Sequence, residues 1–135
     1  MASEKFRLYY ADLMKQYQFV EKRLEQLYAA ISGVSGKAYL DRLGDVDKSP
    51  LPSIIKAIQK LEKERNISVF TEEECDALFA LIKRRNFWAH ECFTSLKFDE
   101  QTGKLKNPED MHRMAKDLRD AEEWHEKLFN KQRQY

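Results

Sequence analysis

Three side chains that can bind an anion, one of which can also exchange a proton, lie close together in the sequence near the middle of the chain: Arg85, Asn86 and His90. An imidazole gains and loses its proton near neutral pH, and a guanidinium can hold two oxygens of one anionic group. Asn86 and His90 are four residues apart, a spacing that places side chains one above the other on a helix. Arg85 can swing its long side chain toward the same spot. We therefore expect a site, an interface or both at this position.

The helix that must position these residues is expected at 71–93. Thr71 and Glu74 have the pattern of a capping box, in which each side chain bonds the other residue's backbone N–H. An apolar stripe at helical spacing follows this start: Cys75, Leu78, Phe79 and Ile82. Because its next steps fall on Asn86 and around His90, this face is expected to turn polar for two turns.

Length and composition predict one soluble helical domain that spans residues 1–135. Hydrophobic residues make up 42% of the chain and charged residues 35%, with only 4 Gly and 3 Pro, which is typical of helices with solvated outer faces. The formal net charge of +1 predicts no bulk attraction to nucleic acid or to a membrane. No apolar run approaches the roughly 18 residues of a membrane helix, and the first residues lack an apolar signal core. The two cysteines are expected to be reduced, as in the cytoplasm.

Three further helices complete the predicted fold. A long first helix is expected from Ser3, a plausible N-cap, to Ile31, because its apolar positions alternate in steps of four and three: Phe6, Tyr10, Leu13, Tyr17, Val20, Leu24, Leu27 and Ile31. A second helix is expected at 50–66, with a proline in its first turn. The last helix begins with the signals Asn107 and Pro108.

The connections between these helices carry turn-forming residues. Residues 32–49 are expected to form a connector that Gly33, Gly36 and Gly44 interrupt, with a short helical turn at 37–43. Residues 95–106 are expected to form a loose β-hairpin or an extended loop. Four principal helices with seams of this kind predict an all-α four-helix bundle, with the first helix running the length of the domain.

Residues 85–90, with the sequence RNFWAH, resemble the Arg–(four to six residues)–His motif of the HEPN family (higher eukaryotes and prokaryotes nucleotide-binding). In that family a polar residue commonly follows the arginine, and here it is Asn86. The resemblance in specific residues covers 81–93, and the predicted bundle and the chain length agree with it. It implies a metal-independent endoribonuclease without a cofactor that acts as a homodimer through the central helix. A role as a toxin or defence effector is one that an enzyme of this kind can have.

The resemblance also implies roles for the individual residues. RNA can be cut without a metal when its own 2′-OH attacks the phosphate, and His90 can take that proton or protonate the leaving oxygen. Arg85 can hold the phosphate and stabilise its developing charge. Asn86 can orient the imidazole or contact the phosphate. Lys83 and Arg84 make the local sequence basic and are candidate contacts for the RNA backbone.

Position 92 departs from a pattern found in some relatives. Nuclease toxins that are paired with a nucleotidyltransferase antitoxin often carry a tyrosine two residues after the histidine, and that tyrosine is modified. Here the residue is Cys92. We therefore do not predict that partner, and another antitoxin or regulatory protein remains open.

Two alternatives stay open at this stage. A non-catalytic HEPN-like interaction or nucleotide-binding module fits the same residues. The tyrosines on or near the first seam can be core or can stack on bases, and Trp88 is expected in the core or at a dimer contact.

No metal is predicted, because His112 and His125 are thirteen residues apart and the remaining cysteine and histidine positions lack the paired spacing of a zinc site.

Overall fold

The computed structural model describes residues 2–33, 37–46 and 50–135, apart from the side chains at 39, 45 and 46. Within these residues the protein is all-α, as predicted, and the only β pairing is one isolated bridge. None of the described helices is both long and apolar enough to cross a membrane. The helical elements in chain order are α1 Glu4–Ile31, α2 Lys37–Val46, α3 Leu51–Arg65, α4 Glu72–Asn86, a π-helix Phe87–Glu91, α5 Cys92–Ser95 and α6 Pro108–Gln132.

Helix α1 confirms the predicted first helix. The Ser3 hydroxyl accepts a hydrogen bond from the Phe6 N–H at 3.2 Å, which caps the first turn. The predicted seam faces the core, with Tyr10 half-buried and the other seven positions buried. Glu25 is also buried, and Lys22 neutralises its carboxylate at 3.2 Å.

The connector after α1 differs from the prediction in one respect. Helix α2 extends through Val46, so Gly44 lies inside a helix and does not break it. A glycine in a helix costs about 1 kcal/mol relative to alanine, a penalty small enough for the surrounding helix to outweigh. Gly33 does end α1, because its φ of 76° is left-handed. The predicted break at Gly36 lies outside the described residues.

The later elements begin as the sequence predicts. Pro52 lies in the first turn of α3, and Asn66 ends that helix in the left-handed conformation. The Asn107 side chain accepts a hydrogen bond from the Glu109 N–H at 3.0 Å and caps α6. Between α5 and α6, the antiparallel bridge from Phe98 to Leu105 makes a minimal hairpin.

Four helices surround a single cluster of buried apolar side chains. Helix α1 packs along α6 and also contacts α2 and α3. Helix α4 contacts α3 and α6. The π-helix is tied to α6 by the hydrogen bond from Trp88 to Asp117 and to α1 by the hydrogen bond from Tyr10 to Trp88.

The capping box at the start of α4 also ties that helix to α6. The Glu74 carboxylate accepts a hydrogen bond from the Thr71 N–H at 2.9 Å, and Thr71 Oγ1 accepts one from the Glu74 N–H at 3.0 Å. Lys127 and Lys131 on α6 lie 3.1 and 3.2 Å from the same carboxylate. Burial by itself would raise the pKa of Glu74, but the hydrogen bonds from Thr71 and the two lysines outweigh it and lower the pKa to about 2.

We expect Glu74→Gln to lower the free energy of unfolding at pH 7 by about 2–3 kcal/mol. The folded-state pKa lies below the unfolded value, so the charged form stabilises the fold above pH 4.5 and this contribution is lost as the pH falls toward 2. Urea unfolding of both proteins at pH 7 and near pH 2 should show a difference only at the higher pH. Glu73→Gln, an exposed position in the same first turn, is the control. A difference that persists undiminished near pH 2 would contradict the expectation.

Candidate functional site

The predicted site residues lie where α4 changes into a π-helix. The backbone N–H of Cys92 bonds to the carbonyl of Phe87, five residues earlier, instead of to the residue four positions back. Single π turns inside α-helices occur frequently at functional sites. Here the π turn begins directly after Arg85 and Asn86 and contains His90.

Contacts from two other helices hold the π turn in place. Trp88 is completely buried, and its indole N–H donates to Asp117 Oδ2 on α6 at 2.8 Å. The Trp88 carbonyl, which a regular α-helix would pair with the Cys92 N–H, instead accepts the Tyr10 hydroxyl at 3.1 Å and the Cys92 thiol at 3.2 Å. Burial raises the pKa of Tyr10 and that of Cys92, so both groups keep the protons that they donate. These hydrogen bonds of Trp88 therefore stabilise the π turn.

The structure brings Arg85 and Asn86 together on the surface. Arg85 Nη1 donates to Asn86 Oδ1 at 3.1 Å, and Arg85 Nη2 lies 3.9 Å from the Glu21 carboxylate on α1. His90 is exposed, and no hydrogen bond or ion pair joins its ring to any residue that the structure describes. The imidazole is thus open to a ligand, while the guanidinium is held by an amide and an acid.

The π turn changes how these side chains are arranged along the helix. In a regular α-helix, residues five apart point about 140° away from each other. The wider π turn changes this relation along residues Phe87–Glu91, and among the described residues no hydrogen bond or ion pair joins His90 to Arg85 or Asn86.

The prediction that a core-facing stripe turns polar is wrong. The buried face of this segment runs through Leu81 and Trp88 to Cys92, and Asn86 and His90 lie on the solvent side. The large indole of Trp88 provides far more buried area than the neighbouring positions, so packing selects the face that includes it. The polar residues therefore do not interrupt the core.

The two basic residues before the motif have different surroundings. Lys83 is exposed. Arg84 Nε lies 3.1 Å from Asp117 Oδ1 without the alignment of a hydrogen bond, and Arg84 Nη2 lies 3.6 Å from Asp120. The sequence predicts that Arg84 contacts RNA. In the structure its guanidinium forms ion pairs that join α4 to α6.

Asp117 is a residue of this region that sequence reasoning did not identify. Its side chain is only 4% exposed, and it contacts both Arg84 and Trp88. The available signal was an acid at a position of α6 that falls on the apolar stripe, three residues after Met114 and four before Ala121. The nearby Tyr17 hydroxyl is buried without a hydrogen-bond partner. Burial and the negative charge of Asp117 raise the pKa of Tyr17 well above its ordinary value, so the phenol stays neutral.

Among the residues that the structure describes, no three His, Cys, Asp or Glu side chains converge in a group that could hold a metal ion. No protein-family model, curated protein sequence or solved structure matches the chain.

Proposed function

We propose that this protein is a metal-independent endoribonuclease of the HEPN type that acts as a homodimer. The observation that carries the proposal is the supported π turn, which contains an exposed His90 and follows directly on the hydrogen-bonded pair of Arg85 and Asn86. An exposed imidazole in the same short helical stretch as a guanidinium and an amide can take part in proton transfer at a phosphate.

In the proposed reaction the 2′-oxygen of RNA attacks the adjacent phosphorus atom, and the bond from phosphorus to the 5′-oxygen breaks. His90 accepts the 2′-OH proton or donates one to the leaving oxygen, and the second imidazole of a dimer provides the other half of that exchange. Arg85 exchanges its 3.9 Å contact with Glu21 for the phosphate, which offers its guanidinium two charged oxygens. Asn86 keeps the guanidinium in position.

The arrangement of the helices supports the finer fold proposal of a HEPN-like four-helix bundle. Helices α1, α3, α4 and α6 contact one another in a ring, each packing against the next, which is the neighbour relation of a four-helix bundle. The central-helix dimer interface would include the exposed side of the π turn. An enzyme of this kind would act on cytoplasmic RNA as a toxin or defence effector, under the control of an antitoxin or another regulatory protein.

Exposed Lys83 remains the proposed contact for the RNA backbone. Arg84 is better assigned to the α4–α6 interface, because rotating it toward RNA would leave the buried carboxylate of Asp117 without its cation.

The test is incubation of the purified protein with single-stranded RNA in EDTA, together with light scattering to measure its mass in solution. The proposal expects cleavage that EDTA does not inhibit, products that end in a 2′,3′-cyclic phosphate, and a dimer. Cleavage that disappears in EDTA, or a monomer that cleaves at full rate, would contradict the mechanism.

A second function, that of a non-catalytic interaction module, is favoured by a specific observation. Arg84 and Arg85 both contact carboxylates of the same chain, as structural arginines do. This function expects a stable dimer or a partner complex, and no loss of RNA after prolonged incubation.

A further inference from the structure

A half-open pocket of about 530 Å³ lies at the end of the protein where α1 and α6 begin and the hairpin folds over them. Its apolar lining comes from three separate segments: Phe6 on α1, Leu105 in the hairpin, and Pro108 and Met111 on α6. Its size is that of pockets that bind small molecules in proteins. Neither the proposed nuclease chemistry nor any predicted motif uses this pocket.

The lining combines an apolar floor with unpaired cations. Lys5 and Lys104 both line the pocket and are exposed, and within the described residues neither ammonium group has a carboxylate partner. The floor is supported from below, because the Phe6 ring packs edge-on against Phe98 with 5.0 Å between ring centroids. A largely apolar cavity with a small number of charged residues in its lining is typical of a ligand site.

The helix ends around the pocket carry charges of both signs. The N-termini of α1 and α6 both lie at its edge, since Ser3 and Pro108 contribute to the lining, and each helix dipole adds positive potential there. The first turns of these helices also carry acids, Glu4 on α1 and Glu109 and Asp110 on α6. Glu109 and Asp110 pair with His112 and Arg113 at 3.9 and 3.8 Å, and within the described residues no carboxylate pairs with Lys5 or Lys104.

We propose that this pocket binds a small amphipathic carboxylate. The apolar body of such a ligand lies against Phe6, Leu105 and Met111, and its carboxylate reaches Lys5 and Lys104. A neutral molecule of the same shape forfeits the contacts with the lysines, and an inorganic anion forfeits the apolar floor. Binding that requires both features in one molecule differs from non-specific adsorption of hydrophobic compounds to the protein surface.

The experiment uses protein labelled with ¹³C at the methionine methyl groups and titrated with 2-naphthoate. Met111 lines the pocket and Met14 does not, so the Met111 methyl resonance should move in a saturable way while that of Met14 stays in place. In parallel, 2-naphthalenemethanol and inorganic phosphate serve as the neutral and the non-apolar probes. Both should bind at least about tenfold more weakly than 2-naphthoate.

The double variant Lys5→Glu/Lys104→Glu should weaken 2-naphthoate binding by about tenfold or more and leave 2-naphthalenemethanol unaffected. The matched control is Lys56→Glu/Lys63→Glu, which makes the same charge change at two exposed positions of α3. The proposal is overturned if the Met111 resonance does not move up to the solubility limit, if both double variants weaken binding equally, or if the neutral probe binds as well as the carboxylate.

Discussion

Replacing His90 with alanine should reduce RNA cleavage by about 10²–10⁴-fold, the range that a positioned general acid or base contributes. The imidazole is exposed, and within the described residues no hydrogen bond or ion pair holds it, so its removal leaves no buried group unsatisfied. We therefore expect the urea midpoint of the variant to match that of the wild type. The measurement is the initial rate of cleavage of a fluorescently labelled RNA in EDTA.

His125→Ala is the matched control, because it removes an imidazole from a different place in the fold. Its ring packs against Phe19 with 4.9 Å between centroids and takes no part in the proposed site. Its cleavage rate should stay within a factor of a few of the wild type. If His90→Ala cleaves RNA at the wild-type rate, the assignment of His90 is wrong.

Asp117→Asn should lower the free energy of unfolding by about 3 kcal/mol. The carboxylate is 4% exposed and serves both the Arg84 guanidinium and the Trp88 indole N–H. Removing one partner of a buried ion pair typically costs 3–5 kcal/mol, and we take the lower end because Arg84 is one-third exposed and retains Asp120. Urea unfolding followed by circular dichroism measures the change.

Asp120→Asn provides a control that removes the same charge from the same helix and from the same arginine. Asp120 is 34% exposed and lies 3.6 Å from Arg84, the environment in which ion pairs contribute about 1 kcal/mol or less. Equal losses for the two variants would show that the burial of Asp117 has no special effect on stability. A loss at Asp117 with unchanged RNA cleavage would separate the stability of the π turn from the chemistry proposed for it.

Local signals in the sequence predicted the helix starts correctly. Ser3, Thr71 with Glu74, and Asn107 each cap a helix through bonds to backbone groups two or three residues away, so the information lies within one turn of chain. The seam of α1 was equally accessible, because burial follows a periodic pattern. The sequence predicts a break at Gly44, but this residue lies inside α2, because one glycine costs a helix only about 1 kcal/mol.

The geometry of the candidate site was decided by tertiary contacts. The sequence by itself determined that Arg85, Asn86 and His90 share one short stretch of helix, because spacing along a chain is a local property. It did not determine the π turn, whose Trp88 is held by Tyr10, 78 residues away, and by Asp117, 29 residues away. Nor did it determine which face of the helix is buried, because that depends on where α1 and α6 leave room for the indole. A single helix pattern is compatible with more than one rotation about its axis, and only packing against neighbouring helices selects one.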